Sequence, residues 1–240
     1  MDTKTAVVTG ARHLRLARNG QDAAAAWRGE HAAAVVVCDG CSSGASSEVG
    51  ARLGARLAIR VLAEQLAAGA SVADPELWAA VRVELRDRIA TVVERDRQLL
   101  EDCFLFTIVV GAVDREHAAV WAIGDGAYSI GSATRQLGPF ADNQPPYLAY
   151  DLVGEPAAAE LDVAARATIV IATDGVLDLP GEVSRFGAAR FVEHGDALRR
   201  ELALLARSDE RIDWDERRIA RAPAQLQDDC AIGVIRVEAS

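Results

Sequence analysis

The stretch VVVCDGCSSGASSEVGARLG, residues 35–54, passes from an apolar run through Asp39-Gly40 and a loop of small residues into a helical pattern. An aspartate at the end of an apolar strand has two interpretations. Asp-Gly is a common turn dipeptide, so the aspartate can serve the turn alone. It can also present a carboxylate at the edge of a sheet, where oxygen ligands bind metal ions. Recurrence of the arrangement elsewhere in the chain distinguishes the two.

The arrangement does recur. Acidic residues stand at or near the ends of several apolar runs: Asp39 in VVVCDG (35–40), Asp174 in IVIATDG (169–175), Asp125 in VWAIGDG (120–126), Asp228 and Asp229 in QDDCAIGVI (227–235) and Asp22 in RNGQDAAAAW (18–27). In an antiparallel sheet one strand begins beside the end of its neighbour. We therefore expect these carboxylates to converge.

Converging carboxylates indicate a metal site. They repel one another, and burial raises their pKa values, unless a cation neutralises them. Ligands that are all oxygen favour Mg²⁺ or Mn²⁺ over zinc. Two such ions about 4 Å apart clamp a phosphoryl group and generate a hydroxide nucleophile at neutral pH. The pattern therefore favours metal-dependent phosphoryl chemistry.

Composition limits the remaining classes. The 240 residues are 50% hydrophobic and 26% charged, which is typical of a globular protein. A net charge of −10 argues against a nucleic-acid-binding surface. The sequence has no uninterrupted run of about 18 apolar residues, the length that a membrane span needs. Its N-terminus lacks a signal-peptide pattern, so we expect a cytoplasmic protein. The four cysteines are too scattered for a disulfide framework, and the Cys38/Cys41 pair is interpreted as small residues flanking a turn, not as a zinc or redox site.

Periodicity predicts an α+β domain spanning residues 1–240. Apolar runs predict strands at 5–9, 32–38, 103–113, 118–123, 127–131, 168–173 and 230–237. Helical spacing predicts helices over about 46–68, 76–100 and 187–206. The Pro-rich segment 136–156 is interpreted as a surface loop or flap, and 207–227 as a solvated helix or loop.

Taken in order, these motifs resemble those of the metal-dependent type-2C Ser/Thr protein phosphatases, specifically the shorter bacterial branch. That family reads Asn-Glu-Asp or Asn-Gln-Asp, then Val-x-Asp-Gly-x-Gly, a Thr-rich strand leading to Gly-Asp-Ser, (Ser/Thr)-Asp-Gly, and Asp-Asn or Asp-Asp before the last strand. The corresponding stretches cover nearly the whole chain: NGQDA (19–23), VCDGCSSG (37–44), FTIVVGAV (106–113), AIGDGAY (122–128), ATDGVLD (172–178) and QDDCAIGVI (227–235).

The resemblance implies an α+β fold with four layers, an α-β-β-α sandwich of two central antiparallel sheets flanked by helix pairs. It implies hydrolysis of phosphoserine and phosphothreonine in proteins by a hydroxide bridging two Mg²⁺ or Mn²⁺ ions. The implied partners are phosphorylated proteins, the targets of a Ser/Thr kinase, with no nucleic acid or membrane partner.

The resemblance also implies roles for individual residues. Asp39 would bridge both ions, and the Gly40 carbonyl would join the shell of the second. Asp174 and Asp228 would complete the first, so Asp39, Asp174 and Asp228 are the predicted catalytic residues. Asp22 would act near the second ion directly or through water, and Asp125 would help hold a weaker third ion. The family's phosphate-binding arginine precedes the first aspartate, which leaves Arg18 and Arg15 as candidates, with mere solvent exposure as the alternative.

Three departures from the family pattern leave a second function open. Gln21 replaces a glutamate, Cys41 stands where a histidine proposed as general acid is common, and Gly126 replaces a serine. His13 is interpreted as structural or exposed, with an approach to the phosphate as the alternative. The alternative function is a pseudophosphatase that keeps the fold as a phosphoprotein-binding or regulatory module.

Overall fold

The computed structural model describes residues 1–238, apart from the side chain of Asn143. The strands are β1 (Asp2–Val8), β2 (Ala23–Arg28), β3 (Ala33–Gly40), β4 (Phe106–Val113), β5 (His117–Ile123), β6 (Gly126–Ile130), β7 (Ala133–Leu137), β8 (Glu160–Ala165), β9 (Ile169–Ala172), β10 (Asp209–Asp213), β11 (Arg218–Ala222) and β12 (Cys230–Arg236). The α-helices are α1 (Ala11–Arg15), α2 (Ser47–Ala67), α3 (Pro75–Val93), α4 (Arg97–Cys103), α5 (Ala189–Glu193) and α6 (Ala197–Leu205).

Two antiparallel sheets of five strands form the centre of the molecule. Their strand orders are β1-β12-β9-β6-β7 and β2-β3-β4-β5-β8. A buried apolar cluster joins the two sheets face to face, a second lies between the β3 sheet and helices α2 and α3, and a third lies beneath α5 and α6. The layers are therefore α-β-β-α, as the sequence predicted.

Strand β3 explains why an unbroken apolar run marks the core. Val35 and Val37 pack between the two sheets, whereas Val36 and Cys38 pack toward the helices. Successive side chains of a strand point to opposite faces, and both faces are covered here, so both sets must be apolar. The run ends at Asp39 and Gly40, which pair with Thr107 and Phe106 of β4.

Helix α2 approaches its neighbours closely enough to require its glycines. A Cβ on Gly54 would overlap the ring of Phe106, and one on Gly50 would overlap the carbonyl of Cys103. These contacts offset the low helix propensity of glycine. They also fix the start of the helix beside the loop that follows Asp39.

The predicted helix over 76–100 is interrupted by a break at residues 94–96. Helix α3 ends at Val93, because Glu94 has a positive φ of 51° that an α-helix cannot continue. Asp96 then caps α4 by accepting a hydrogen bond from the Leu99 N–H. Helix α4 runs to Cys103, so the following strand begins at Phe106 and not at 103.

Several other elements differ from the predictions. Segment 187–206 contains two helices, α5 and α6, separated around Gly195. Segment 207–227 carries the β10–β11 hairpin instead of a helix or loop, with Trp214 exposed near its turn. Segment 136–156 includes the end of β7 and two 3₁₀ turns, and it buries Tyr147, Leu148 and Ala149. Within residues 1–238, no helix combines the length and apolarity that a bilayer crossing needs.

Candidate active site

Four of the predicted carboxylates meet at one end of the two sheets. Asp39 ends β3, Asp125 lies in the turn between β5 and β6, Asp174 follows β9 and Asp228 precedes β12. All four line one cavity of about 300 Å³. The rest of the lining comes mainly from the loop after β3 and from segment 136–156, with single residues from α1, β3, β4 and the segments before β2 and β12: His13, Gln21, Gly40, Cys41, Ser42, Ser43, Thr107, Asp142, Gln144, Pro145, Tyr147 and Asp229.

The cavity concentrates negative charge. No lysine or arginine is among the described residues that line it. Burial raises the pKa of Asp39 well above its usual range, and the charges of Asp22, Asp174 and Asp125 raise it further. Burial and the charge of Asp228 likewise raise the pKa of Asp174. The crowded carboxylates therefore hold protons unless a cation replaces them.

Asp125 has a buried oxygen that lacks a partner. Its Oδ1 accepts no hydrogen bond from any residue that the structure describes. Burial and the charge of Asp174 raise the pKa of Asp125 to about 6. A buried carboxylate oxygen without a donor is costly, and a bound cation would satisfy it.

The residues present fit a hard divalent ion. The donors around the cavity are carboxylate and carbonyl oxygens, the ligands that Mg²⁺ and Mn²⁺ favour. Within residues 1–238, no three His, Cys, Asp or Glu side chains meet the geometry of a closed metal site. Because Mg²⁺ usually keeps several waters among its ligands, it does not need such a closed group.

Asp22 lies behind the cavity instead of lining it. It is buried, and its Oδ2 accepts a hydrogen bond of 2.6 Å from the Thr173 hydroxyl. Burial raises the pKa of Asp22 well above its usual range, the bond from Thr173 opposes that rise, and the charge of Asp229 adds to it. Asp22 therefore supports the cavity from below, next to Asp39.

Gln21 is held by two hydrogen bonds that a glutamate could not donate. Its side-chain amide donates to the Ser47 hydroxyl at 2.6 Å and to the Cys41 carbonyl at 3.2 Å. The amide thus ties the start of α2 to the loop after β3. With glutamine in place of the family's glutamate, the cavity has one negative charge fewer. The Gln21 amide still holds the loop after β3 against the start of α2.

Asp228 and Asp229 occupy different environments although they are adjacent. Asp228 is exposed to the cavity, whereas Asp229 is buried with 3% exposure. Asp229 accepts hydrogen bonds from the Gly10 N–H at 2.8 Å, the Gln21 N–H at 2.6 Å and His13 Nδ1 at 2.8 Å. The sequence reasoning missed the His13–Asp229 pair, whose only sequence signal was the doubled aspartate.

Two glycines allow other backbone segments to approach Asp228 and Asp229 closely. A Cβ on Gly10 would overlap the backbone of Asp228, and a Cβ on Gly175 would overlap the backbone of Asp229. Side chains at these positions would push the last strand away from α1 and from the turn after β9. The glycine of the Asp174-Gly175 motif is therefore a requirement for close backbone approach.

The two candidate arginines lie outside the cavity lining. Arg15 and Arg18 are both exposed, and Arg15 lines a separate cavity with Leu14, Arg207 and Gln227. Their assignment as phosphate ligands stays a prediction. The residue of α1 that does reach the carboxylate cavity is His13.

Segment 136–156 forms one wall of the cavity and is anchored to α3. It contributes Asp142, Gln144, Pro145 and Tyr147 to the lining. Arg82 of α3 makes two hydrogen bonds to the Asp151 carboxylate, at 2.7 and 2.8 Å.

Cys41, in the loop after β3, also lines the cavity. Its thiol lies 3.1 Å from the Ser43 hydroxyl. Burial acts to raise the pKa of the Cys41 thiol, but hydrogen bonds involving Ser43 and Tyr147 lower that pKa overall.

Comparison with known proteins identifies one matching family. The sequence model of the family described as Protein phosphatase 2C matches residues 9–203. A search of curated protein sequences finds no match to this chain.

Solved structures share the fold at low sequence identity. Serine/threonine phosphatase Stp1 from Staphylococcus aureus matches with a TM-score of 0.63 and 13% identity, over 100% of this chain and 96% of that chain. Serine/threonine phosphatase PstP/Ppp from Mycobacterium tuberculosis matches with a TM-score of 0.57 and 14% identity, over 100% of both chains. The catalytic domain of PstP in complex with 2 manganese ions matches with a TM-score of 0.56 and 16% identity, over 97% of this chain and 96% of that chain.

Proposed function

This chain belongs to the protein phosphatase 2C family, and we propose that it hydrolyses phosphoserine and phosphothreonine in proteins with Mg²⁺ or Mn²⁺ bound in the carboxylate cavity. The observation that carries this proposal is the convergence of Asp39, Asp125, Asp174 and Asp228 on one cavity whose described lining has no basic side chain. The solved relative with two manganese ions supports the same type of cofactor.

The residues that would hold the ions follow from their placement. Asp39 lies centrally, close enough to Asp22, Asp174 and Asp125 to be affected by their charges, and would contact both main ions together with the Gly40 carbonyl. Asp174 and Asp228 would complete the first ion's ligands, Asp22 would act near the second, and Asp125 would help hold a third. The bound ions would neutralise the carboxylates, polarise the phosphoryl group and lower the pKa of water to give the attacking nucleophile.

The substrates would be phosphorylated proteins produced by Ser/Thr kinases. Stp1 and PstP, which share the fold, are serine/threonine phosphatases, and this supports the substrate class. The net charge of −10 opposes nucleic acid as a partner. Ser42, Ser43 and Gln144 are exposed residues of the cavity lining that offer neutral hydrogen-bonding groups.

The alternative is a regulatory module that keeps the fold without turnover. Gln21, Cys41 and Gly126 favour it, because each departs from the family pattern. The carboxylates proposed for the two main ions are nevertheless all present. Enzyme and module differ in whether metal binding is accompanied by phosphate release.

Phosphate release from a phosphoserine peptide tests the proposal. Chelator-stripped protein should release phosphate only after Mn²⁺ is added. Asp39→Asn should abolish release, whereas Asp215→Asn, the same substitution at an exposed position near the β10–β11 turn, should leave it intact. Release without metal, or near-normal release by Asp39→Asn, would contradict the metal assignment. Mn²⁺ binding to the wild-type protein without release from any phosphopeptide would favour the module.

A further inference from the structure

The proposed function assigns no role to the histidine that lines the cavity. His13 of α1 is buried with 7% exposure, yet it lines the same cavity as Asp39, Asp174 and Asp228. A histidine is the side chain best suited to transfer a proton near neutral pH. The question is whether this ring is fixed in an orientation that makes such a transfer possible.

Asp229 fixes the ring. The hydrogen bond between His13 Nδ1 and Asp229 Oδ2 is 2.8 Å long. Since an ionised carboxylate only accepts hydrogen bonds, Nδ1 is the donor. Asp229 is itself immobilised by the backbone N–H groups of Gly10 and Gln21, at 2.8 and 2.6 Å. A carboxylate held in this way sets the orientation of the ring, with Nδ1 facing Asp229.

The other ring nitrogen is left for the cavity. None of the described residues forms a hydrogen bond with His13 Nε2. This nitrogen is also not fully buried, so it can be reached from outside the protein. His13 lines the same cavity as Asp228 and Asp174. His13 lines the cavity and its Nδ1 is taken by Asp229, so Nε2 is the ring nitrogen left to face the cavity.

The reaction needs a proton at this place. Cleavage of a phosphoserine ester leaves electron density on the serine oxygen, a strongly basic leaving group. Position 41, which follows Asp39-Gly40, carries a thiol and no imidazole. Tyr147 also lines the cavity, but its hydroxyl holds its proton tightly. Burial and the hydrogen bond with Cys41 both raise the pKa of Tyr147.

Building on the proposed phosphatase function, we propose that His13 is a catalytic residue that protonates the leaving serine or threonine oxygen from Nε2, with Asp229 as its positioning residue. The bond between phosphorus and the serine oxygen breaks while a water oxygen bonds to phosphorus. The electron pair of the broken bond stays on the serine oxygen, which takes the Nε2 proton and leaves as a hydroxyl. The attacking water loses a proton to solvent, and solvent reprotonates the imidazole before the next turnover.

His13→Asn separates this role from a structural one. The asparagine amide can donate to Asp229 as Nδ1 does, but it has no group at the position of Nε2. His31→Asn provides the matched control, since His31 is exposed in the turn that precedes β3, at the end of that strand away from Asp39. Both variants should unfold within a few degrees of the wild-type protein.

The measurement compares substrates that differ in the basicity of the leaving group. With Mn²⁺ present, kcat for the phosphoserine peptide should fall by roughly 100-fold or more in His13→Asn, the scale of general acid catalysis. The loss with p-nitrophenyl phosphate should be far smaller, because nitrophenolate leaves without protonation. Across substituted phenyl phosphates, the rate of His13→Asn should therefore depend more steeply on leaving-group pKa than the wild-type rate.

Equal losses on the peptide and on p-nitrophenyl phosphate would overturn the proposal and assign His13 a structural or binding role. An unchanged peptide kcat in His13→Asn would overturn it as well. A wild-type protein that is inactive on every phosphate ester would instead contradict the proposed phosphatase function, so the two failures are distinguishable.

Discussion

At the scale of single residues, adjacent aspartates perform different tasks because their surroundings differ. Asp228 faces the cavity, and its charge raises the pKa of Asp174. Asp229 faces inward and satisfies three donors, of which two are backbone N–H groups. Repulsion between carboxylates is the feature that a metal ion relieves, whereas hydrogen bonds to Asp229 stabilise the fold with or without an ion.

This contrast predicts effects of very different size on the stability of the metal-free protein. Asp229→Ala should lower the free energy of unfolding by roughly 2–4 kcal/mol, because it leaves buried donors without an acceptor. Asp228→Ala, one residue away, should change it by no more than about 0.5 kcal/mol, or raise it slightly by relieving repulsion. Urea denaturation in the presence of a chelator measures both. Equal destabilisation by the two variants would show that Asp229 has no special structural role.

At the scale of elements, burial determined which strands could be predicted. Strands β3, β4, β9 and β12 are covered on both faces, so their apolar runs are unmistakable in the sequence. Strands β2, β7 and β8 lie at sheet edges. The apolar run of β2 is mostly alanine, a residue depleted in strands, and β7 and β8 carry polar residues, so none of the three was predicted as a strand. Strands β10 and β11 are almost entirely exposed, which left no signal of burial at all.

The residues of the candidate site also differ in how far the sequence could predict them. Its carboxylates were predictable because each stands at the end of a strong strand, and antiparallel pairing brings such ends together. The His13–Asp229 pair joins residues 216 positions apart, and the approach of Tyr147 depends on the path of segment 136–156. Local patterns do not encode such contacts; they arise from the packing of whole elements.

At the scale of the whole molecule, the four layers bring acidic residues from distant parts of the chain to one end of the sandwich. The sheets supply rigid strand ends, and the helices keep both sheet faces dry. The clustered acids oppose folding at neutral pH, since burial and repulsion favour their protonated forms. A bound cation is therefore expected to stabilise the entire fold.

The sign of this effect gives a pH prediction. Asp22, Asp39, Asp125 and Asp174 have folded-state pKa values above their unfolded values, so the folded protein binds more protons. Their contribution to stability is present below about pH 4 and is lost as pH rises through their folded pKa values, about 6 for Asp125. The melting temperature of the metal-free protein should thus fall between about pH 5 and pH 7.5.

Saturating Mn²⁺ should remove this fall in melting temperature, because the ion replaces the protons on the carboxylates. In the metal-free protein, Asp39→Asn should make the fall in melting temperature smaller. Asp114 does not obscure the trend. Burial acts to raise its pKa, but hydrogen bonds from the His117 and Glu116 N–H groups lower it overall, so Asp114 titrates below this range. A metal-free protein that melts at the same or a higher temperature at pH 7.5 than at pH 5 would contradict the description of the cavity.

The central claim is that the carboxylate cavity holds divalent ions, and anomalous diffraction from crystals grown with Mn²⁺ tests it most directly. We expect two strong manganese peaks in the cavity, both adjacent to Asp39, with Asp174 and Asp228 at the first and the Gly40 carbonyl at the second. A cavity without manganese at saturating concentration, or peaks bound only by residues outside it, would contradict the claim.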